Sequence, residues 1–459
     1  MTVVTIVDSG IANLASVSNA FTRLGANVRI SDDPEAVAAA THVVLPGVEH
    51  FAAGMRTLRA RRLDEPLREI VEQGRPLLGI CLGMQLMCRG SEESPDTPGL
   101  GIIPGHCRTL PPSVHVPHLG WNGIIADPGC RTLGTGTAAF ANSFALRDAV
   151  PGWHGAWATH GDRFVAALER DNVVACQFHP ELSGPFGYGI IERWLCGGIA
   201  APPEAAPPAT LALRIIPCLD VKDGRVVKGI RFQSLRDSGD PAARAALYEE
   251  QGADEIVILD VGASPEARPI QIETVRRVRT ALSIPLTVGG GVRAARDARA
   301  LLEAGADKVS TNTAAVRRPA LLRELTDAFG SQCAVLAIDA RRLDDSWEVL
   351  VNGGRDAAGR DAVEWAREGV AQGAGEILLT SWDRDGTRSG CDTELLRAVT
   401  NVVPVPVIAS GGIGSREHVV DAARAGASAV LAASVFHDNE DTVAGIKAHL
   451  ATQGIPVRL

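Results

Sequence analysis

The sequence has no C-x-x-C pair, no histidine cluster beside its cysteines, no block of basic charge, and no apolar run approaching the roughly 20 residues of a membrane span. Each absence removes a class of protein. Nine cysteines, an odd number and widely spaced, indicate neither a disulfide framework nor a zinc site, and a reducing, cytoplasmic setting fits them best. The N-terminus "MTVVTIVDSGIANL" carries no basic segment ahead of its short apolar stretch, so it reads as a first β-strand and not as a secretory signal. A formal net charge of -9 with scattered basic residues argues against nucleic acid or anionic lipid as a partner.

What is present is an ordinary soluble composition, 46% hydrophobic and 22% charged, in a chain of 459 residues, long enough for two domains or for one domain joined to a barrel. The composition changes once, at "GGIAAPPEAAPPATLAL" (197–213), where alanine and proline replace any helical or strand period. This places a linker at 199–212 between domains at 1–198 and 213–459. In the first domain, strand-like runs such as "TVVTIVD", "HVVLPG" and "PLLGIC" alternate with helical ones such as "NLASVSNAFTRLG", an α/β pattern with a largely parallel sheet.

In the second domain such alternation occurs eight times. The strands are "RIIPCLDV", "EIVILDV", "IPLTVGG", "KVSTN", "AVLAIDA", "EILLTSW", "VPVIASG" and "AVLAAS". Eight βα units in about 245 residues favour a closed (βα)8 TIM barrel over an open doubly wound sheet, which has the same local signals. An internal repeat supports closure: "QGADEIVILD" at 251 matches "QGAGEILLTS" at 372, and "IPLTVGGG" at 284 matches "VPVIASGG" at 405, both 121 residues apart. The second domain reads as a duplicated half-barrel, so paired sites on opposite sides are expected.

Reactive groups of parallel barrels sit at the C-terminal ends of strands. Asp220 ends the first strand and Asp339 the fifth, a symmetric pair suited to acid and base work on one substrate; the plainer alternative is that each caps a loop. Gly290 and Gly291 follow the third strand, and Gly411 and Gly412 the seventh, where missing side chains let backbone N–H groups cradle a phosphate. The partner turns carry Asn312 and Thr313 after the fourth strand, and Ala433 and Ser434 after the eighth. Two such clusters imply two phosphates, although tight-turn glycine alone explains either one. Lys228 adds a cation near Asp220, with a solvated lysine as the ordinary alternative. At the N-terminal face, Arg214, Glu255, Lys308 and Glu376 begin strands one, two, four and six, as a salt-bridged plug or as a gate.

Along its whole length, 214–459 resembles the cyclase part of the imidazole glycerol phosphate synthase family, through "RIIPCLDVKDGRVVKG", "DKVSTNTAAV", "SQCAVLAIDA", "GAGEILLTS", "DRDGT" and "IASGGIG". The resemblance implies that Asp220 and Asp339 are the acid and base of cyclisation. It also implies that Lys228, Asp385, Gly386, Ser410 and the two glycine clusters hold a substrate with a phosphate at each end.

In the first domain "LLGICLGMQL" reads as strand, sharp turn and helix, the G-x-C-x-G form of a nucleophile elbow. Cys81 then lies at a helix N-terminus, a position that favours a thiolate. Taken alone it is as easily one more buried cysteine. The stretch "CQFHPEL" shifts that balance, because His179 and Glu181 flank Pro180 and supply a base and its orienter. The turn in "VVLPGVEHF" offers the N–H groups of Gly47 and Val48, with that of Leu82, to a tetrahedral oxyanion.

These elements resemble the class I, triad-type glutamine amidotransferase family, and "VDSGIANLASV", "LPGVEHF", "GICLGMQL", "HLGWN" and "QFHPELS" narrow the likeness to the glutaminase partner of that cyclase. The resemblance implies glutamine hydrolysis through a Cys81 thioester, with Gln85 and the "HLGWN" loop near the substrate. Two positions depart from the family: Glu49 stands where the oxyanion turn usually has glycine, and Asn142 where histidine is frequent. The expected protein is a two-domain enzyme passing ammonia through the barrel past Arg214, Glu255, Lys308 and Glu376 to a bis-phosphorylated ribotide, with both domains working in one chain. It implies no metal, nicotinamide or flavin. The alternatives are a glutaminase serving another acceptor and a metabolite-binding regulator on weakened domains.

Overall fold

The computed structural model describes residues 2–8, 10, 13–48, 50–198, 210–230, 233–262 and 271–459, the side chains of 228–236 excepted. Glu49, the side chain of Lys228 and residues 199–209 of the linker region lie outside the described residues. The chain divides into two units, Met1–Val114 with His118–Leu211, and His115–Pro117 with Ala212–Leu459. Among the described residues no helix is long and apolar enough to cross a membrane.

The first unit is built on a nine-stranded sheet whose order is Asn27–Ser31, Val3–Val7, His42–Gly47, Leu77–Cys81, Val173–Cys176, Asp162–Arg170, His154–His160, His118–Ala126 and Gly136–Asn142. Pairing is parallel through the first five strands and antiparallel through the rest, so the sheet is mixed where a largely parallel one is expected from the sequence. The reason lies in the connections. Gly161 alone separates His154–His160 from Asp162–Arg170, far too little for the crossover that a parallel pair needs.

Helix Leu14–Arg23 starts at Asn13, whose side chain accepts from Ser16 N at 3.1 Å, and buries Val17, Ala20 and Phe21 at helical spacing. Helices Phe51–Ala60 and Asp64–Glu72 bury Phe51, Met55, Leu58, Leu67 and Ile70 in a core shared with Leu45, Leu77 and Val165. Each such side chain contributes about 2 kcal/mol relative to exposure. That packing holds rigid the two strands, His42–Gly47 and Leu77–Cys81, whose ends carry the first site.

The second unit is a closed barrel of eight parallel strands: Arg214–Lys222, Ile256–Asp260, Leu286–Gly289, Lys308–Thr311, Ala334–Leu343, Glu376–Ser381, Val407–Ser410 and Ala429–Ala432. Closure is direct, since Arg214 pairs with Ala429 and Pro217 with Ala432. Each strand read from the sequence is there. The interior is filled by Ile216, Cys218, Val257, Val335, Leu378, Ile408 and Leu431, so it is a packed core. A shift of 121 residues carries strand Leu286–Gly289 onto Val407–Ser410 and Lys308–Thr311 onto Ala429–Ala432. The same shift carries helix Pro241–Glu250 onto Ala362–Ala371 and Ala295–Glu303 onto Arg416–Arg424. The fifth strand continues into two antiparallel strands, Ser346–Val351 and Asp356–Asp361, and the first strand continues likewise into Arg225–Ile230 and Gln233–Gly239, which the same shift carries onto that pair to within two residues.

Candidate active sites

Cys81 ends its strand and caps the helix Leu82–Met87 with φ 53° and ψ −111°, a backbone conformation that costs a non-glycine residue about 1–3 kcal/mol. The flanking glycines make the turn possible. A Cβ on Gly83 would lie 1.8 Å from Leu45 O, and one on Gly79 would lie 2.5 Å from the Met87 sulfur. With only backbone at those positions, the helix packs down onto both strands and leaves Cys81 nearly buried, 4% exposed as a residue.

His179 reaches the cysteine from a neighbouring strand end. Its N–H is fixed to Ala139 O at 3.0 Å and its carbonyl accepts from Ser183 Oγ at 2.6 Å, while Pro180 turns the chain into a short 3-10 segment. Its Nδ1 lies 2.8 Å from Glu181 Oε1. Burial pulls the imidazole pKa down, but the charge and hydrogen bonds of Cys81 and Glu181 outweigh it, so His179 is held well above the ordinary histidine range. The structure therefore brings Cys81, His179 and Glu181 into one buried constellation.

Gly47 pairs with Cys81 across the two strands, and a Cβ on it would meet Leu82 at 3.0 Å, so the proline-glycine turn and the start of the Cys81 helix are in close contact. Val48 follows that turn. Gln85 does not open onto a surface: it is 5% exposed, and its Nε2 donates to Phe144 O and to Gln177 Oε1, each at 3.1 Å. Asn142 also donates to Phe144 O at 3.1 Å. In the "HLGWN" strand, His118 stacks on His160 at 4.2 Å and on Phe140 at 4.7 Å, and burial, with His160 beside it, drives its pKa well below the usual value. His118 is thus a neutral core imidazole, held at 3.1 Å from the Asn122 amide.

In the barrel, Asp220, Asp339, Asp385, Gly386, Asn312, Thr313, Ser410, the glycines 290, 291, 411 and 412, Ala433 and Ser434 all line one cavity of about 300 Å³. That volume is at the small end of small-molecule sites. Strands one and five are diametrically opposed in an eight-stranded ring, so the two aspartates face each other across the mouth. Burial, and then the charge of Asp385, push each of them up to about 7. Asn312 Nδ2 donates to Asp339 Oδ2 at 2.9 Å and to Leu350 O at 3.2 Å, which ties Asp339 to the added strand pair. Two carboxyls that titrate near neutrality on opposite sides of one cavity can hold one proton between them, one acting as acid and the other as base.

At the other end of the barrel axis the four charged residues meet. Arg214 binds Glu255 at 2.9 Å and also Glu376, and Lys308 binds Glu255 at 2.8 Å and Glu376 at 2.6 Å, a closed ring of four ion pairs. All four side chains are buried. Burial pushes Glu376 up, but Arg214 and Lys308 more than offset this and keep it below the ordinary glutamate range. Thr287, which sequence reasoning passed over, donates to Glu255 at 2.6 Å. Gln177 was passed over too, although it stands inside "CQFHPEL". Nothing in residue type or spacing marks either one.

Residues 5–196 match the family described as Glutamine amidotransferase class-I, and residues 214–442 match the family described as Histidine biosynthesis protein.

Proposed function

We propose a reaction for a chain that belongs to the class-I glutamine amidotransferases through its first unit and to the histidine-biosynthesis barrels through its second, a glutamine-dependent enzyme of histidine biosynthesis. The first unit hydrolyses glutamine. Cys81 sulfur adds to the side-chain amide carbon, giving its proton to His179; His179 passes that proton to the departing nitrogen, and ammonia leaves a thioester. Water, deprotonated by His179, then releases glutamate and restores the thiol. The N–H groups of Gly47, Val48 and Leu82 serve the oxyanion, and Glu181 holds the imidazole in register.

The barrel takes up that ammonia. Its substrate is phosphoribulosyl-formimino-aminoimidazole-carboxamide ribotide, a molecule with a phosphate at each end, and its products are imidazole glycerol phosphate and aminoimidazole carboxamide ribotide. The observation that carries this reading is a single cavity with a carboxyl pair across its middle and a glycine-backed cradle at each end. Gly290, Gly291, Asn312 and Thr313 serve one phosphate; Ser410, Gly411, Gly412, Ala433 and Ser434 serve the other. Asp220 and Asp339 act as acid and base while ammonia supplies the new ring nitrogen. Ammonia travels along the barrel axis, and since the ring of Arg214, Glu255, Lys308 and Glu376 is closed, passage requires one of its ion pairs to open.

Replacing Cys81 with Ala separates the two activities. Glutamine-dependent formation of imidazole glycerol phosphate should vanish while formation with added ammonium salts persists. Loss of both would refute the division of labour.

A further inference from the structure

Among the groups around Cys81, one has no place in the reaction just described. Gln177 is fully buried, and its own N–H is locked into the sheet by Ala166 O at 2.8 Å. It follows the strand Val173–Cys176, which runs parallel to Leu77–Cys81 with Cys176 opposite Ile80. The next residue on each strand is therefore Gln177 on one and Cys81 on the other. Side chains of extended chain alternate, so Gln177 and His179 point to the same side and Phe178 to the other, where it packs against Phe140 at 5.7 Å.

The amide has a defined orientation. Phe144 O can only accept, so the nitrogen of Gln85 must face it, at 3.1 Å. The second N–H of that same nitrogen then points at Gln177, 3.1 Å away, which must answer with its oxygen. The remaining end of Gln177 is its NH2 group, 3.9 Å from Cys81 Sγ. The sulfur also has an acceptor, Ala141 O at 3.8 Å. A neutral thiol can donate to Ala141; a thiolate cannot, and it is left with the N–H of Gln177 and the imidazolium of His179.

We propose that Gln177 is a positioning residue for the nucleophile: held in one orientation by Gln85 and the Phe144 carbonyl, it donates an N–H to the Cys81 sulfur and favours its ionised form. The inference rests on Cys81 being the nucleophile. It also gives Gln85, expected from the resemblance to lie near glutamine, a task of its own, since Gln85 fixes the polarity of the amide beside the sulfur.

The test is alkylation of Cys81 by iodoacetamide in the full chain, followed by peptide mass mapping across a range of pH. Gln177→Met keeps the volume and removes the donor. Because a hydrogen bond to an ionised group is worth on the order of a tenfold change in equilibrium, labelling of Cys81 near neutrality should slow about tenfold and its pH profile should move to higher pH. Gln85→Leu should move the profile the same way by less, and the double variant no further than Gln177→Met alone. Thermal melting of each variant controls for folding, and Gln177→Leu replaces Gln177→Met if the latter melts early. An unchanged pH profile in a folded Gln177 variant overturns the inference. Cys81 left unlabelled in the unsubstituted chain overturns the nucleophile assignment instead.

Discussion

At Cys81 the reactive side chain is placed by a backbone held at φ 53°, whereas Asp220 and Asp339 stand on the ends of regular barrel strands, outside the left-handed region. In the first site the strain lies in the main chain and is stabilised by the packing of a helix onto two strands. In the second the main chain is relaxed and the cost is electrostatic: burial and the charge of a third carboxyl push two aspartates up to about 7, well above the ordinary range. The two sites should therefore fail in different ways when altered.

The largest effect is expected where only charge changes. Asp339→Asn removes an acid–base group without changing shape, and should lower ammonia-dependent turnover by about 10²- to 10⁴-fold. The same substitution should stabilise the fold. With a folded pKa near 7 above an unfolded value near 4, the native barrel binds a proton that the unfolded chain releases, so the cost of ionising Asp339 appears as pH rises from 4 and is complete above 7. Asparagine avoids that cost. Melting at pH 8 should rise by an amount corresponding to about 2 kcal/mol, and melting at pH 4 should not change. A variant no more stable at pH 8 than the parent would remove the electrostatic half of the contrast.

Next comes a change of backbone with no change of charge. Gly83→Ala sets a methyl group 1.8 Å from Leu45 O, which lies in a strand paired with Gly79 and cannot move aside cheaply. Overpacking of this kind costs about 3 kcal/mol, and a shift of about 1 Å in the nucleophile costs about 100-fold in rate. Glutamine hydrolysis should fall by that factor, with ammonia-dependent turnover the reference. If Gly83→Ala hydrolyses glutamine at the parent rate, Cys81 does not depend on the tight turn.

The same contrast explains what could be read from the sequence. The barrel was legible strand by strand because its signals are local and repeated: apolar runs of four to eight residues, each ending in a polar loop, recurring at a spacing of 121. The Cys81 turn was legible because two glycines at fixed offsets have a steric cause. Gln177 and Thr287 were not, since their partners are 96 and 32 residues away and their roles follow from strand register alone. The antiparallel part of the first sheet was missed for a related reason. Strands such as His118–Ala126, with the buried polar residues His118 and Asn122, break the alternation that sequence reading relies on.

The smallest effect tests whether the two halves of the barrel are as equal as their backbones. Arg293 and Arg317 line the cavity on the side of Gly291 and Asn312. Moving 121 residues along, the equivalent positions are Gly414 and Asp438. On that second side Arg388 also lines the cavity, but it is held by Asp438 and Glu440. Arginine side chains are therefore placed unequally, Arg293 and Arg317 at one phosphate cradle and Arg388, ion-paired to two carboxylates, at the other. Exposed charge contacts are worth about 0.5–1 kcal/mol each, so Arg293→Gln with Arg317→Gln should raise KM for the bis-phosphorylated substrate about five- to thirtyfold at low salt. The salt dependence of kcat/KM should weaken with it, and kcat should hold. Arg388→Gln should change KM by less than about threefold, because the same substitution frees two carboxylates. Equal losses from both sides would mean that the repeat is symmetric in charge as well as in chain path, and that backbone N–H groups alone decide how the substrate lies.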